Sequence, residues 1–293
     1  FPNSEKQNWS VNFWRTVRRN RERSSWNPVD LSKGSEGSQM GIVHGINNIE
    51  APLRLAFMPY ISGYVNSYEK SYQQSFSGGL DLKLGLSETY TLDMTLIPDF
   101  GQTKTDQVVL NLTPHETYYS ENRPFFTEGT ELFNKCDVFY SRRIGKTPQS
   151  YNVINSQAEN GEFEIVKNPA TSRLVNAFKI SGRGENNLAV GVFNAFMANT
   201  WAKVKYEDGT EKSILTEPAT NYNILVLDQS LGQNSFANFT NASVITPGNS
   251  YVSNVSAGSI KLMDKKNLFG ISALSAFSTR NSDGTNVDNG WFL

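Results

Sequence analysis

Polar and apolar residues alternate with a period of two along much of the chain. Leucine occupies every second position in residues 80–86, and apolar residues do so again in residues 90–96, after a break at Ser87. Because successive side chains of a β-strand point to opposite faces, this pattern predicts two antiparallel strands joined by a tight turn. One face of this hairpin is apolar, and the other carries charges such as Lys83 and Asp93.

The same alternation, less regular, extends over the rest of the chain. Residues 53–66 form a candidate strand, in which Pro59 would interrupt the hydrogen bonding of a central position. Residues 174–180 and 188–196 repeat the pattern. No segment of useful length has the period of a helix, so the sequence predicts an all-β protein. Further candidate strands lie at residues 9–13, 222–227, 242–245, 259–263 and 268–279.

The hairpin pattern is compatible with two environments. In a transmembrane β-barrel, the apolar face contacts lipid and the polar face lines a wet lumen. In a soluble antiparallel sheet, the apolar face packs on a core and the polar face contacts water. Alternation alone leaves this choice open.

Residues 99–146 break the alternation. This stretch has no sustained period, is dense in charged and aromatic residues, and is too long for an ordinary hairpin loop. We therefore expect it to fold inward as a plug or constriction, with arginines binding carboxylates to fasten it to a charged barrel wall. The candidate residues for this ionic cluster are Asp99, Glu121, Arg123, Glu128, Arg142 and Arg143.

Composition narrows the classes of function. The net charge of −1 creates no field that favours nucleic acid. The mean hydropathy of −0.44 is too polar for a helical membrane protein, but not for a barrel, which exposes only alternate residues to lipid. One cysteine and two histidines cannot form a zinc cluster or a Cys-His nucleophile pair. We expect no metal, no cofactor and no enzymatic activity. A hydrolase with a carboxylate pair among Glu121, Glu128 and Glu131 is the least favoured alternative.

Four short motifs follow one another in a fixed order, at residues 98–102, 110–114, 121–129 and 139–145. Together they resemble a Bacteroidota outer-membrane family of unknown function, and residues 9–26 resemble the end of the domain that precedes it. The resemblance implies a β-barrel preceded by a family-9-like carbohydrate-binding domain, in a protein longer than this chain.

We therefore predict an all-β chain that forms part of an antiparallel transmembrane β-barrel. Residues 1–48 would be the end of an upstream β domain plus a linker, and residues 49–293 the barrel portion, with the plug at 99–146. The expected function is a non-enzymatic transport or surface component of the bacterial outer membrane. Its expected partners are outer-membrane lipid, other envelope proteins and carbohydrate. The alternative is a carbohydrate-binding β-sandwich module, in which Trp9, Trp14 and Trp26 would stack on sugars.

Overall fold

The chain folds almost entirely as β-strands. The computed structural model describes residues 6–30, 35–47, 54–68, 71–99, 110–114, 116–232, 234–247, 251–266, 268–282 and 287–293. Residues 100–109 and 115 of the predicted plug therefore lie outside the described part. The chain divides into two compact units, Phe1–Leu53 and Arg54–Leu293. The prediction of an all-β chain is confirmed. None of the helices within the described ranges has the length and apolar character needed to cross a membrane.

The first unit contains two small antiparallel sheets. Its strands are β1 (Lys6–Val11), β2 (Trp14–Val17), β3 (Glu22–Ser25) and β4 (Gly41–Asn47), with 3-10 turns at Arg18–Asn20 and Glu36–Gln39. Strand β1 pairs with β4, and β2 pairs with β3. The strand predicted at residues 9–13 thus ends at Val11. The side chain of Asn12 accepts hydrogen bonds from the backbone N–H groups of Phe13 and Asn27, which interrupts the strand at this point.

The second unit is built around a ten-stranded antiparallel sheet. Its strands run in the order β17-β16-β15-β14-β13-β10-β9-β7-β6-β5. Among the described strands, β5 and β17 stand at the two ends of this sheet and do not pair with each other. The strands of the unit are β5 (Leu55–Tyr68), β6 (Ser71–Gly85), β7 (Tyr90–Leu96), β8 (Glu164–Lys167), β9 (Leu174–Arg183), β10 (Leu188–Met197), β11 (Thr200–Lys205), β12 (Glu211–Glu217), β13 (Thr220–Gly232), β14 (Ser235–Thr246), β15 (Tyr251–Met263), β16 (Gly270–Asn281) and β17 (Val287–Phe292).

The hairpin predicted from the leucine alternation is confirmed as β6 and β7. Leu84 pairs with Leu92 and Leu80 with Leu96, so the apolar residues of the two strands share one face. Pro59 lies in β5, which has one neighbour, β6, among the described strands. A proline without a backbone N–H is tolerated there because one side of the strand is free of ladder hydrogen bonds.

Cross-strand partners share a face, so the register assigns every strand residue to one of two faces. We call the face of Leu84, Val192 and Leu225 the outer face and the face of Asp93 and Phe193 the inner face. One outer row crosses all ten strands, and eight of its members are apolar. It consists of Leu55, Leu84, Leu92, Ile180, Val192, Leu225, Asn241, Ser256, Phe277 and Trp291.

Large apolar side chains of the outer face are widely exposed. Ile61 is 88% exposed, Ile271 75% and Trp291 78%. The exposed side of the sheet is therefore rich in large apolar side chains.

A group of amides interrupts the apolar outer face. Asn194 donates to the side-chain oxygens of Asn221 and Asn223, and Asn241 donates to Asn254 and to Ser256, which lies in the outer row given above. These cross-strand hydrogen bonds satisfy polar groups that would otherwise be costly to remove from water. The outer amide cluster consists of Asn194 of β10, Asn221 and Asn223 of β13, Asn241 of β14 and Asn254 of β15.

A smaller substructure follows the segment that breaks the alternation. Helix α1 (Pro124–Thr127) and a 3-10 turn at Ser141–Arg143 lie within that segment, and helix α2 (Tyr151–Glu159) follows it. Strands β12, β11 and β8 form a three-stranded sheet, whose core contains Ile154 of α2 with Phe163, Ala202 and Val204. The expectation that no helix of useful length occurs missed α2. Its nine residues have little net hydrophobicity, so tertiary packing of Ile154 supports the helix more than its own pattern does.

Candidate functional site

Residues 116–146, which we call the covering segment, lie against the inner face of the ten-stranded sheet. Phe126, Phe133 and Ile144 of the segment are buried in one core with Phe193 and Ala195 of β10. The ring of Phe193 lies between 5.1 and 6.4 Å, centre to centre, from the rings of four segment phenylalanines. Such clustered aromatic rings contribute strongly to packing energy. The aromatic residues that distinguish this segment in the sequence therefore form a dry contact with the sheet.

A glycine in β10 allows the segment to approach closely. A Cβ atom at Gly191 would lie 2.9 Å from Leu132 Cδ2 and 3.0 Å from a ring carbon of Phe133. A side chain at this inner position would therefore require Leu132 and Phe133 to shift. The absence of a side chain at residue 191 thus allows Phe133 to reach its fully buried position.

Charged side chains of the inner face also hold the segment. Lys179 of β9 is 1% exposed and donates through Nζ to the carbonyl oxygens of Phe125, at 2.5 Å, and Glu128. Its Nζ lies 3.8 Å from a carboxylate oxygen of Asp93. Lys83 of β6 binds the Glu128 carboxylate at 2.7 Å, which lowers the pKa of Glu128. The buried lysine is thus compensated by backbone carbonyls and a carboxylate, as a buried charge requires.

Two further contacts fix the middle of the segment to more distant strands. Asp228 of β13 binds Lys135 of the segment at 3.2 Å and Arg183 of β9 at 2.5 Å. The buried thiol of Cys136 donates to Asn238 of β14 at 3.1 Å. Together with the Lys83 pair, these contacts connect the segment to strands from β6 to β14.

Glu121 and Arg123 cross-link the covering segment internally. The Arg123 guanidinium binds the Glu121 carboxylate at 2.6 Å and also donates to the carbonyl oxygens of Ser141 and Ile144. Burial would raise the pKa of Glu121, but hydrogen bonds from Arg123 and Ser141 outweigh that effect and lower it to about 2. This pair ties the start of the segment to its end.

The remaining predicted cluster residues lie nearby. Arg142 donates to the carbonyl of Ser120 through Nε and Nη2, and Arg143 binds Glu116 at 2.6 Å. Asp99 accepts a hydrogen bond from the Tyr64 hydroxyl at 2.6 Å, so it is connected to the edge strand β5.

An open cavity of about 1260 Å³ lies where the segment meets β5 and β6. Four of the six predicted cluster residues line it, namely Asp99, Arg123, Arg142 and Arg143. Glu121 lies behind Arg123, and Glu128 lies apart at the pair with Lys83. Other lining residues are Tyr64, Phe76, Ser77, Gly78, Ile97, Pro98, Glu116, Thr117, Tyr119, Tyr140, Ile144, Gly145, Lys146, Thr147, Thr171, Ser172, Arg173 and Leu174.

Sequence reasoning missed three of the charged residues that join the covering segment to the sheet. Lys179, Asp228 and Lys135 were not among the predicted cluster residues. The alternation along the strands carried a signal for Lys179 and Asp228. Because the neighbours of each residue at i±1 face outward, its own charged side chain belongs to the inner face. Which distant charges meet depends on register, and the sequence pattern does not specify it.

The tryptophans proposed for sugar stacking lie in the first unit. Trp14 is covered by Arg23, whose Cζ is 3.9 Å from the ring centroid. The Trp9 indole N–H donates to Gln7. Trp26 is 64% exposed and makes an edge contact with Phe13. Trp26 is therefore the tryptophan of this set with the most accessible ring.

Comparison with known proteins gives a family but no characterised relative. Residues 51–292 match the profile of a family described as a domain of unknown function, DUF5916. No curated protein and no solved structure matches the chain.

Proposed function

The chain belongs to this family of unknown function, and we propose that its second unit is part of a bacterial outer-membrane β-barrel with the covering segment as an internal plug. The protein would act as a non-enzymatic transport or surface component of the envelope. Lipid would contact the outer face, and other envelope proteins are the expected partners.

The observation that carries this proposal is the exposed apolar outer face. Eight of ten residues in the row from Leu55 to Trp291 are apolar, and Leu225 and Phe277 in that row are 40% and 51% exposed. In a soluble sheet, such a face would pack on a core, whereas a lipid-facing surface requires this composition. The ten strands described here would be completed by further pairing into a closed wall, since a bilayer tolerates no open sheet edge.

The covered inner face supports the plug. A face with buried charges such as Lys179 and Asp228 is unusual for a soluble core, but it suits a lumen wall that binds an inserted segment. The contacts of the covering segment combine an aromatic core with ion pairs, which favours a plug that stays in place. Passage would then occur around the segment, at the cavity beside β5 and β6.

The geometry of the carboxylates favours a non-enzymatic role over a hydrolase. A glycosidase acid needs a raised pKa so that it holds its proton near neutral pH. Glu121 and Glu128 have lowered pKa values because each binds a cationic side chain. Both carboxylates therefore serve as partners of Arg123 and Lys83 rather than as proton donors.

Membrane fractionation tests the proposal. The chain, exported with a bacterial leader in its full-length context, should sediment with outer membranes, resist carbonate extraction, and migrate differently on a gel before and after boiling. These outcomes follow from a closed, lipid-embedded barrel that resists detergent denaturation at room temperature. Recovery of the protein as a soluble monomer without detergent would contradict the proposal.

A further inference from the structure

We propose that the cavity beside β5 and β6 binds a small soluble anion that carries two or more carboxylate or phosphate groups. The cavity lies between the covering segment and the strand edge, and five basic and two acidic side chains line it. The chain as a whole has a net charge of −1, so this basic excess is a local property. The inference does not depend on the membrane, because the site is defined by contacts within the second unit alone.

The two acidic groups of the cavity are already bound. Glu116 pairs with Arg143 at 2.6 Å, and Asp99 accepts hydrogen bonds from Tyr64 and Ser62 of β5. Arg123 is neutralised by Glu121 from behind. Among the described residues, Lys146 and Arg173 form no ion pair, although both line the cavity and are exposed. Their charges are therefore available to a ligand.

The backbone holds Lys146 and Arg173 side by side. The carbonyl of Lys146 accepts hydrogen bonds from the Ser172 N–H, at 3.0 Å, and from the Ser172 hydroxyl, at 2.9 Å. The carbonyl of Arg173 accepts one from the Ala198 N–H at 3.0 Å, which fixes it to the end of β10. Gly145 precedes Lys146 with a φ of 79°, a turn that a residue with a side chain rarely adopts. The two cationic side chains therefore start from neighbouring backbone positions that are fixed by hydrogen bonds.

The cavity also offers uncharged contacts. The Tyr140 hydroxyl accepts a hydrogen bond from the Tyr119 N–H at 3.0 Å, which leaves its own hydrogen free to donate. Arg143 lies over the Tyr140 ring, at 5.9 Å from the centroid. The volume of about 1260 Å³ exceeds what a lone phosphate needs, which leaves room for an anion with two or more oxyanion groups.

Calorimetric titration of the purified full chain tests the site. Citrate represents the carboxylate class, pyrophosphate the phosphate class, and glycerol is the neutral probe. We expect citrate or pyrophosphate to bind with an affinity that falls as salt rises, and glycerol not to bind. The double variant Lys146→Gln, Arg173→Gln should weaken the better anion by about tenfold or more, since two charge-assisted contacts are lost.

The matched control is Lys203→Gln, Lys205→Gln, which removes the same charge from exposed positions of β11. Both double variants should unfold at the wild-type midpoint, because none of the four side chains makes a described ion pair. The preference between citrate and pyrophosphate assigns the oxyanion class. Equal loss in the two double variants, equal binding of glycerol, or no binding of either anion at millimolar concentration would overturn the proposal.

Discussion

The two faces of the ten-stranded sheet differ in what covers them, because the inner face holds the main hydrophobic core and the outer face leaves large apolar side chains exposed. The inner face carries Lys179 and Asp228, each about 1% exposed, whereas the outer face carries Ile61 and Trp291, which are more than three-quarters exposed. In a soluble sheet with one face on a core, the exposed face would be polar. The inner face is buried because a specific polypeptide segment covers it. The outer face has no such protein partner among the described residues.

The largest expected effect concerns the dry part of the inner face. Phe193→Ala should lower the free energy of unfolding by about 3–5 kcal/mol, because the ring is 2% exposed and contacts four aromatic rings of the covering segment. Urea unfolding in detergent measures this loss. Phe277→Ala, at a half-exposed position of the outer face, is the control and should cost much less. Similar losses at the two positions would remove the contrast between the faces.

A charge on the outer face should matter only in lipid. Leu225→Arg is expected to destabilise the protein by about 2–4 kcal/mol in a bilayer, the cost of a cation facing hydrocarbon near the midplane. Leu215→Arg is the control, since Leu215 has a similar exposure, 37% against 40%, but lies in the three-stranded sheet. Refolding into vesicles, followed by tryptophan fluorescence, gives both values. If Leu225→Arg were neutral in vesicles, the outer face would not contact lipid.

The internal cross-link of the covering segment should depend on pH. Glu121→Gln is expected to cost about 2 kcal/mol at pH 7, because Arg123 loses its buried counter-charge. The pKa of Glu121 is lowered to about 2, so its contribution is complete above about pH 4.5 and is lost as the pH falls towards 2. Acid unfolding curves of the variant and the wild type should therefore converge at low pH. Glu131→Gln, an exposed carboxylate of the same segment, is the control. A gap that stays constant down to pH 2 would show that the ion pair is not its cause.

The smallest effect belongs to the exposed pair between the segment and β6. Glu128→Gln should cost less than about 1 kcal/mol, because the Glu128 side chain is 62% exposed and water screens its charge. The hydrogen bond from Lys179 to the Glu128 backbone carbonyl remains in the variant. Unfolding at low and high salt measures the difference, which should shrink as salt rises. A loss of stability as large as that of Glu121→Gln would mean that the Glu128 carboxylate, and not the Glu128 backbone carbonyl, holds the segment.

Local alternation predicted the strands well where one face is uniformly apolar. The β6–β7 hairpin follows from its leucines, since a period of two assigns each residue to a face before any partner is known. The pattern was less informative for β11 and β12, which were not predicted. Strand β14 extends over Ser235–Thr246, well beyond the predicted residues 242–245, because Asn238 and Thr240 are buried polar residues of the inner face. Their burial depends on the covering segment and not on their own hydrophobicity.

The candidate site was likewise predicted from the sequence only in part. The sequence identified a long charged and aromatic segment, and the structure places Asp99, Arg123, Arg142 and Arg143 around one cavity. It separates Glu128 from them, because Lys83 of β6 lies opposite Asp93 and within reach of Glu128. Pairing of charges that are tens of residues apart depends on strand register, which short motifs do not encode.

By itself the sequence determined the all-β character of this chain, the two-faced β6–β7 hairpin and the exceptional nature of residues 99–146. Each of these follows from local periodicity or its loss, and that periodicity depends only on residues that are close together in the sequence. Only the tertiary structure decided which face the covering segment occupies, that Gly191 makes room for Phe133, and that Lys179 is buried against backbone carbonyls. These features depend on contacts between residues distant in the chain, and their energy comes from packing and desolvation that exist only once the strands are in register.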